Sequence, residues 1–305
     1  MPVTLSPLRY PGGKTQLCKF VKNVMCENNI SYGNYVEPFA GGAGIAIELL
    51  LKGIVRNIYI NDYDYAIYSI WHSIINETES FVQMIRDINI TIEEWRIQKS
   101  IYANQSEYSS LQVGFAAFFL NRTNNSGVIL GGPIGRMDQS GKYKIDCRFN
   151  KDKLIEKIYA IAEKKENICV SNQDAKDFIR GVIVEKLKSD ETFIFFDPPY
   201  YKQGKNLYTN FFNHENHVAL SEQILRLSDY HWITTYDFNK EIAKMYSEVP
   251  TKTYQLMYSA NRKRKEFEYL FHSHKTIVSS FDKVQFTENE EVEEDEEVTP
   301  DMETA

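Results

Sequence analysis

Cysteine is scarce in this chain, and none of it is clustered. The 305 residues include four cysteines, and no two of them form a C-x-x-C pair. Zinc sites and disulfide frameworks need clustered thiols, so we expect neither a metal centre nor a disulfide. Reduced, scattered thiols are typical of cytoplasmic proteins.

Long apolar runs are also missing. No stretch approaches the length of a membrane-spanning helix. Residues 1–6 lack the basic region and apolar run of a signal peptide. We therefore expect a cytoplasmic protein without a membrane partner, built as one large domain or as a core with an insertion.

Basic residues are in the minority, but only because of the C-terminus. Ten of the 42 acids lie in residues 288–305, which contain no Lys or Arg. The rest of the chain carries 35 basic and 32 acidic side chains, a net charge of +3. We interpret residues 288–305 as a disordered acidic tail. The tail either stays solvated or competes with phosphates for a basic groove.

The most informative stretch is a short aromatic strand that ends at a carboxylate. Residues 193–196 are apolar and predict a buried strand, and Pro198 and Pro199 end it abruptly. Asp197 therefore lies at the carboxyl end of a strand, where open α/β sheets place their ligand crevice.

These groups suit an exocyclic amine on a flat base. Such an amine is a poor nucleophile because its lone pair is delocalised into the ring. Hydrogen bonds to the Asp197 carboxylate and the Pro198 carbonyl would hold the amine pyramidal, and Tyr200 would stack on the base. The alternative is a strand that simply ends in a turn.

A second candidate site follows a predicted strand at residues 35–37. Residues 37–44, EPFAGGAG, combine a strand end, a glycine-rich turn and a helix start, which lets a nucleotide-like ligand approach the backbone. The turn differs from G-x-G-x-x-G, which disfavours NAD. Further on, the predicted strand 57–60 is followed by Asp62, where doubly wound folds bind ribose hydroxyls. A helix cap is the alternative role for Asp62.

Between residues 66 and 150 the alternation of strands and helices disappears. Helical patterns at 66–75, 81–88 and 113–120 lead into a polar segment, and residues 121–153 carry seven basic and three acidic side chains. Arg, Asn and Ser side chains on loops read base edges and phosphates, so we interpret residues 66–150 as an inserted recognition domain. A solvated loop is the alternative. The candidate nucleic-acid contacts are Arg122, Asn124, Asn125, Arg136 and Lys142.

With these residues in view, the chain resembles the Dam-like class of DNA adenine-N6 methyltransferases over roughly residues 5–275. Four motifs occur in the order of that class: LRYPGGK at 8–14, EPFAGGAG at 37–44, Asn61-Asp62, and DPPY at 197–200. The resemblance implies an α/β fold with a Rossmann-like methyltransferase sheet. Residues 1–65 and 151–287 would form the catalytic domain, and the mostly helical insertion would recognise the target.

The resemblance also implies the reaction and its partners. S-adenosylmethionine would donate a methyl group to N6 of an adenine flipped out of double-stranded DNA. The enzyme would be a nucleoid-associated monomer, and a restriction endonuclease acting on the same site is a further candidate partner. The catalytic residues would be Asp197, Pro198 and Tyr200. The residues expected at the donor are Tyr10, Lys14, Glu37, Phe39, Gly41, Asp62, Asp174 and Asp197.

One position departs from the class. Members that methylate GATC carry an arginine three positions after the glycine matched here by Gly127, and this chain has Leu130 there. Leucine cannot make a bidentate contact to guanine, so GATC is not expected unless Arg122 or Arg136 reads the guanine. The alternative activities are methylation of RNA adenine or cytosine N4, and nucleic-acid binding without catalysis. Cytosine C5 methylation is disfavoured because no Pro-Cys motif is present.

Overall fold

A single mixed sheet positions Asp197 and the glycine turn. The computed structural model describes residues 4–9, 14–201, 212–258 and 264–287, except for the side chains of 256–258 and 264–266. Tyr10 and the acidic tail, residues 288–305, lie outside the described residues. The strands are β1 (Asn34–Glu37), β2 (Asn57–Asn61), β3 (Ile168–Ser171), β4 (Thr192–Phe196), β5 (His231–Asp237), β6 (Thr251–Tyr258), β7 (Arg264–His272) and β8 (Phe286–Thr287).

The strand order creates a crevice at one edge of the sheet. The order is β3-β2-β1-β4-β5-β7-β6-β8. The first five strands are parallel, and the other neighbours pair antiparallel. The chain moves outward from β1 to β3 on one side and from β4 to β5 on the other. The switch point therefore lies between β1 and β4, beyond whose carboxyl ends ligands bind in such sheets. The motifs at 37–44 and 197–200 both lie there.

The central strands are apolar because helices cover both faces of the sheet. All five residues of β4 are buried, and alternate side chains enter different cores. Phe193 and Phe195 join the larger core, in which Phe193 stacks on Tyr35 at a centroid distance of 6.3 Å. Ile194 and Phe196 join the smaller core on the opposite face. The expected α/β sheet is confirmed.

The helices supply these two cores. The α-helices of the described part are α1 (Cys18–Glu27), α2 (Gly44–Leu51), α3 (Tyr65–Asn76), α4 (Thr78–Asp87), α5 (Ile92–Ala103), α6 (Ser110–Thr123), α7 (Lys151–Ala162), α8 (Ala175–Phe178), α9 (His214–Leu225) and α10 (Lys240–Met245). Helix α8 continues as a π-helix over Ile179–Val184. Within the described ranges, no helix is both long and apolar enough to cross a bilayer.

The insertion between β2 and β3 contains α3 to α7. The helices predicted at 66–75, 81–88 and 113–120 are present as α3, α4 and α6, with longer bounds. Helix α6 begins with a capping box between Ser109 and Gln112, which satisfies its first backbone donors. Its buried side chains belong to the same hydrophobic cluster as Phe193. The insertion thus shares a core with one face of the sheet, and its limits as a separate domain stay a prediction.

Candidate active site

Asp197 directly follows β4 and lies between a cation and a hydroxyl. The Lys14 Nζ atom is 3.7 Å from the Asp197 Oδ1 atom, and the Asp197 side chain is 26% exposed. Thr235, on the neighbouring strand β5, donates a hydrogen bond to the same oxygen over 2.9 Å. Burial raises the pKa of Asp197 to about 6, while Lys14 and the Thr235 hydroxyl act in the opposite direction. The carboxylate is therefore mainly ionised at neutral pH and accessible to a ligand.

Lys14 is the buried cation of the site. Its Nζ donates to both carboxylate oxygens of Glu268, over 3.0 and 3.2 Å. It also donates to the hydroxyl of Tyr200. Tyr200 in turn donates to Glu268 Oε1 over 2.7 Å. The lysine of the N-terminal motif and the tyrosine of the DPPY motif are thus tied to one carboxylate on β7.

The turn after the two prolines is fixed from β5. The backbone N–H of Tyr201 donates to Asp237 Oδ1 over 2.9 Å. Asp237 is the last residue of β5, so the ends of β4 and β5 are joined beside Asp197. Pro198 is buried and lacks a backbone donor, which leaves its carbonyl as its only backbone hydrogen-bonding group.

The glycine turn and Asp62 are brought together as the sequence predicts. Gly41 has φ +46°, a conformation that favours glycine, and its N–H donates to Asp62 Oδ2 over 2.8 Å. The Asp64 N–H donates to Asp62 Oδ1 over 3.0 Å. Burial raises the pKa of Asp62 to about 7, with the Asp64 charge adding to the shift and these two hydrogen bonds opposing it. Each Asp62 oxygen accepts one of these bonds and has a lone pair left for a ligand hydroxyl.

The N-terminal segment lies against the glycine turn. The Ser6 hydroxyl donates to the Gly42 carbonyl over 2.6 Å. At Gly44, the first residue of α2, a Cβ atom would come within 2.2 Å of Thr15 Oγ1. Thr15 follows Lys14 directly, so the segment that carries Lys14 packs closely against the start of α2.

The other residues predicted at the donor surround this turn. Glu37 is buried, accepts from Tyr35 Oη over 3.0 Å and from the Ala46 N–H over 3.2 Å, and burial raises its pKa to about 8. Phe39 meets Phe212 edge to face at a centroid distance of 6.4 Å.

Asp174 lies just beyond β3 at the same edge of the sheet. It caps α8 by accepting from the Lys176 N–H over 2.9 Å, and its side chain is 42% exposed.

Asn124, one of the predicted DNA contacts, uses its side-chain donors inside the protein. Asn124 is fully buried, and its Nδ2 donates to the carbonyls of Val128, Ile129 and Gly131 over 2.8 to 3.1 Å. Its Oδ1 accepts from Trp95 Nε1 over 2.6 Å. Asn124 therefore shapes the loop that ends at Gly131.

The guanidinium of Arg122 is also bonded to the backbone. It donates to the Arg148 carbonyl over 2.9 Å from Nε, and to the Pro7 carbonyl over 3.3 Å. Burial lowers the pKa of Arg122 to about 10, with Arg9 and Arg148 adding to the shift. Arg122 therefore stays cationic at neutral pH while it connects the N-terminal segment to the insertion.

The remaining predicted contacts are exposed. Asn125 donates from Nδ2 to the Gly132 and Pro133 carbonyls over 3.2 and 3.1 Å. Arg136, with φ +68°, and Lys142 are exposed on the polar segment.

A clamp that we did not predict joins the N-terminal segment to the insertion. Asn121 is buried, accepts from the Arg9 N–H over 2.8 Å, and donates to the carbonyls of Arg9 and Gly127 over 2.7 and 2.9 Å. A Cβ atom at Gly127 would lie 2.0 Å from the Arg9 carbonyl oxygen. The segment that leads to Lys14 is therefore held directly against the predicted recognition loop.

Glu268 and Thr235 are the main site residues that sequence reasoning missed. A signal for Glu268 exists in β7, where side chains alternate between the two faces. Glu268 shares a face with Leu270, which is fully buried. An acid at such a position predicts a buried, paired carboxylate, but it does not identify the partner.

Comparisons with known proteins identify the family of this chain. Residues 10–278 match the family model of the D12 class N6 adenine-specific DNA methyltransferases. The Type II methyltransferase M.MjaIII of Methanocaldococcus jannaschii is 21% identical over 272 residues, which cover 83% of this chain and 82% of the relative. The Type II methyltransferase M1.LlaDCHI of Lactococcus lactis subsp. cremoris is 23% identical over 244 residues, or 74% of this chain and 76% of the relative.

Among solved structures, the rRNA methyltransferase aviRa from Streptomyces viridochromogenes aligns with a TM-score of 0.39 and 11% identity, covering 87% of this chain and 86% of that chain. The family match confirms the resemblance drawn from the four motifs. The chain belongs to the D12 class of N6 adenine-specific DNA methyltransferases and is a DNA adenine methyltransferase.

Proposed function

We propose that this enzyme transfers a methyl group from S-adenosylmethionine to N6 of an adenine flipped out of double-stranded DNA. The observation that carries the proposal is the Asp197 carboxylate, which is ionised between Lys14 and Thr235 and lies at the switch point of the sheet. Asp197 would accept one N–H of the target amine and the Pro198 carbonyl the other. Tyr200 would stack on the base once the base enters.

The residues around the glycine turn fit the methyl donor. When bound, S-adenosylmethionine supplies an electrophilic methyl group on a sulfonium. Gly41 lets the donor approach the backbone, and Asp62 has lone pairs for ribose hydroxyls. Glu37 would support the turn from within the protein, because its carboxyl group already accepts hydrogen bonds from Tyr35 and Ala46. Tyr10, Lys14, Phe39, Asp174 and Asp197 complete the proposed donor site.

Positioning carries most of the proposed catalysis. Asp197 and Pro198 orient the amine so that its lone pair points along the line of attack. Lys14 favours the ionised form of Asp197, in which neither oxygen carries a proton and both are acceptors. The amine nitrogen becomes cationic as it is methylated and loses its proton afterwards, so no general base has to act before the transfer.

DNA recognition is proposed to lie in the insertion, residues 66–150. Arg136 and Lys142 are exposed on its polar segment and would contact DNA directly. Arg122, Asn124 and Asn125 would contribute by shaping the loop, since their donors bind backbone carbonyls.

The relatives support a further proposal about partners. M.MjaIII and M1.LlaDCHI are both named Type II methyltransferases. We propose that this enzyme likewise protects a site cleaved by a cognate restriction endonuclease, and that it works as a cytoplasmic monomer at the nucleoid.

One experiment tests the activity. Purified protein is incubated with S-adenosylmethionine and methylation-free DNA, and the DNA is digested to nucleosides for mass spectrometry. We expect N6-methyladenine from the wild type and at least about a thousandfold less from Asp197→Ala, with DNA binding retained. Methylated cytosine N4, or modification of RNA alone, would favour the alternative substrates. Donor binding without any product on DNA or RNA would contradict the proposed transfer.

A further inference from the structure

Glu268 is a buried carboxylate at the active site. It lies on β7, and 1% of its surface is exposed. The buried ammonium of Lys14 pairs with it at 3.0 Å. Because an unpaired buried charge is strongly destabilising, this ion pair fixes both side chains.

Glu268 also holds two tyrosines. Tyr200 donates to Oε1 over 2.7 Å, and Tyr254, on β6, donates to Oε2 over 2.5 Å. Together with the two bonds from Lys14, each oxygen of Glu268 accepts from one tyrosine and from the lysine. Such saturation leaves the carboxylate little capacity to bind a substrate itself.

Lys14 lies closer to Glu268 than to Asp197. Its Nζ is within hydrogen-bond distance of Glu268, but it is 3.7 Å from Asp197 Oδ1. At that distance the cation still favours the ionised form of Asp197. It does not occupy the Asp197 oxygen as a strong hydrogen-bond donor would.

We propose that Glu268 is a positioning residue for methyl transfer, which draws Lys14 away from Asp197 and so leaves the Asp197 carboxylate free for the target amine. This inference rests on the proposed function of Asp197.

The test compares Glu268→Gln with Tyr254→Phe. Glutamine keeps the size and removes the charge, so Lys14 moves towards Asp197. Glu268 raises the pKa of Asp197, and its loss and the nearer ammonium both lower that pKa. We expect kcat to fall about tenfold and the acid limb of the kcat/KM profile to move to lower pH. Tyr254→Phe removes one bond to the same carboxylate but keeps its charge, so it should leave the acid limb in place.

A merely structural role would give a different result. Glu268→Gln and Tyr254→Phe would then lower kcat and Tm together without moving the acid limb, and that outcome would overturn the proposal. Glu268→Asp, which keeps the charge, should restore part of kcat and return the acid limb towards its wild-type position.

A double variant keeps the test decisive if Glu268→Gln does not fold. Lys14→Met with Glu268→Gln replaces the whole buried ion pair by neutral groups, which proteins often tolerate. If Glu268 acts through Lys14, the double variant should have a kcat within about twofold of Lys14→Met alone. Multiplicative losses would contradict the inference. Wild-type protein without any N6-methyladenine would refute the proposed function itself, which separates the two failures.

Discussion

Thr235 and Glu268 shift the pKa of Asp197 in opposite directions. Its hydroxyl donates to Oδ1 of Asp197 over 2.9 Å and lowers the pKa of that carboxyl. A hydrogen bond to a charged group contributes about 1.5–3 kcal/mol, which is enough to displace a pH profile. If Asp197 acts as proposed, residue 235 therefore helps to set the lowest pH at which the enzyme works.

Thr235→Val should move the acid limb of kcat/KM to higher pH. Valine keeps the shape and removes the donor, so the pKa of Asp197 rises above about 6 and the carboxylate is lost earlier as pH falls. We expect a larger loss of kcat/KM at about pH 6 than at about pH 8. Thr234→Val is the matched control, because Thr234 is buried on the same strand but points to its other face. Equal shifts in both variants would contradict this account.

The helices and strands that can be recognised from the sequence are the ones with a single dominant local pattern. The β4 strand could be predicted because all its residues are apolar and two prolines end it. Helix α5 was missed because only Ile92, Trp95, Gln98 and Tyr102 are buried along its 12 residues, a stripe too narrow to stand out.

Pairings between distant elements could not be predicted. Lys14 and Glu268 are 254 positions apart, and they meet only because β7 runs antiparallel beside β5 in a particular register. For Asn124, the residue type predicts a hydrogen-bonding side chain, but only the folded loop shows that its donors point inward.

At the element scale, Gly127 controls how the N-terminal segment meets the insertion. Its φ is +81°, and a Cβ atom would lie 2.0 Å from the Arg9 carbonyl oxygen. Gly127→Ala should therefore lower the free energy of unfolding by about 1–3 kcal/mol. It should also weaken donor binding, because the displaced segment carries Lys14. Calorimetric titration with S-adenosylmethionine measures the second effect.

The matched control for this prediction is Gly132→Ala. A Cβ atom at Gly132 would have no neighbour within 4 Å, so stability should change by less than about 0.5 kcal/mol and donor affinity should stay unchanged. If Gly127→Ala binds the donor as tightly as Gly132→Ala does, the clamp has no role in assembling the site.

At the scale of the whole molecule, the proposed site lies at one edge of the sheet. Asp197, the glycine turn and Asp62 lie at the carboxyl edge of the parallel strands, so the proposed function requires DNA to approach from that side. Lys188 and Glu191 lie at the opposite edge, next to the start of β4, and form an exposed i,i+3 ion pair. Removing Lys188 from the opposite edge should therefore not change the salt dependence of DNA binding.

Arg136→Ala and Lys142→Ala should each reduce the salt dependence of DNA binding. Each phosphate contact contributes about −0.9 to the slope of log K against log salt concentration, so either variant should reduce the slope by about one and weaken binding similarly on all sequences. Loss of affinity on one sequence alone would instead make that residue a base reader. Lys188→Ala, which removes a cation at the far edge, should leave the slope unchanged. A slope that falls equally in all three variants would mean that DNA affinity follows net charge, and that the insertion has no defined phosphate contacts at these positions.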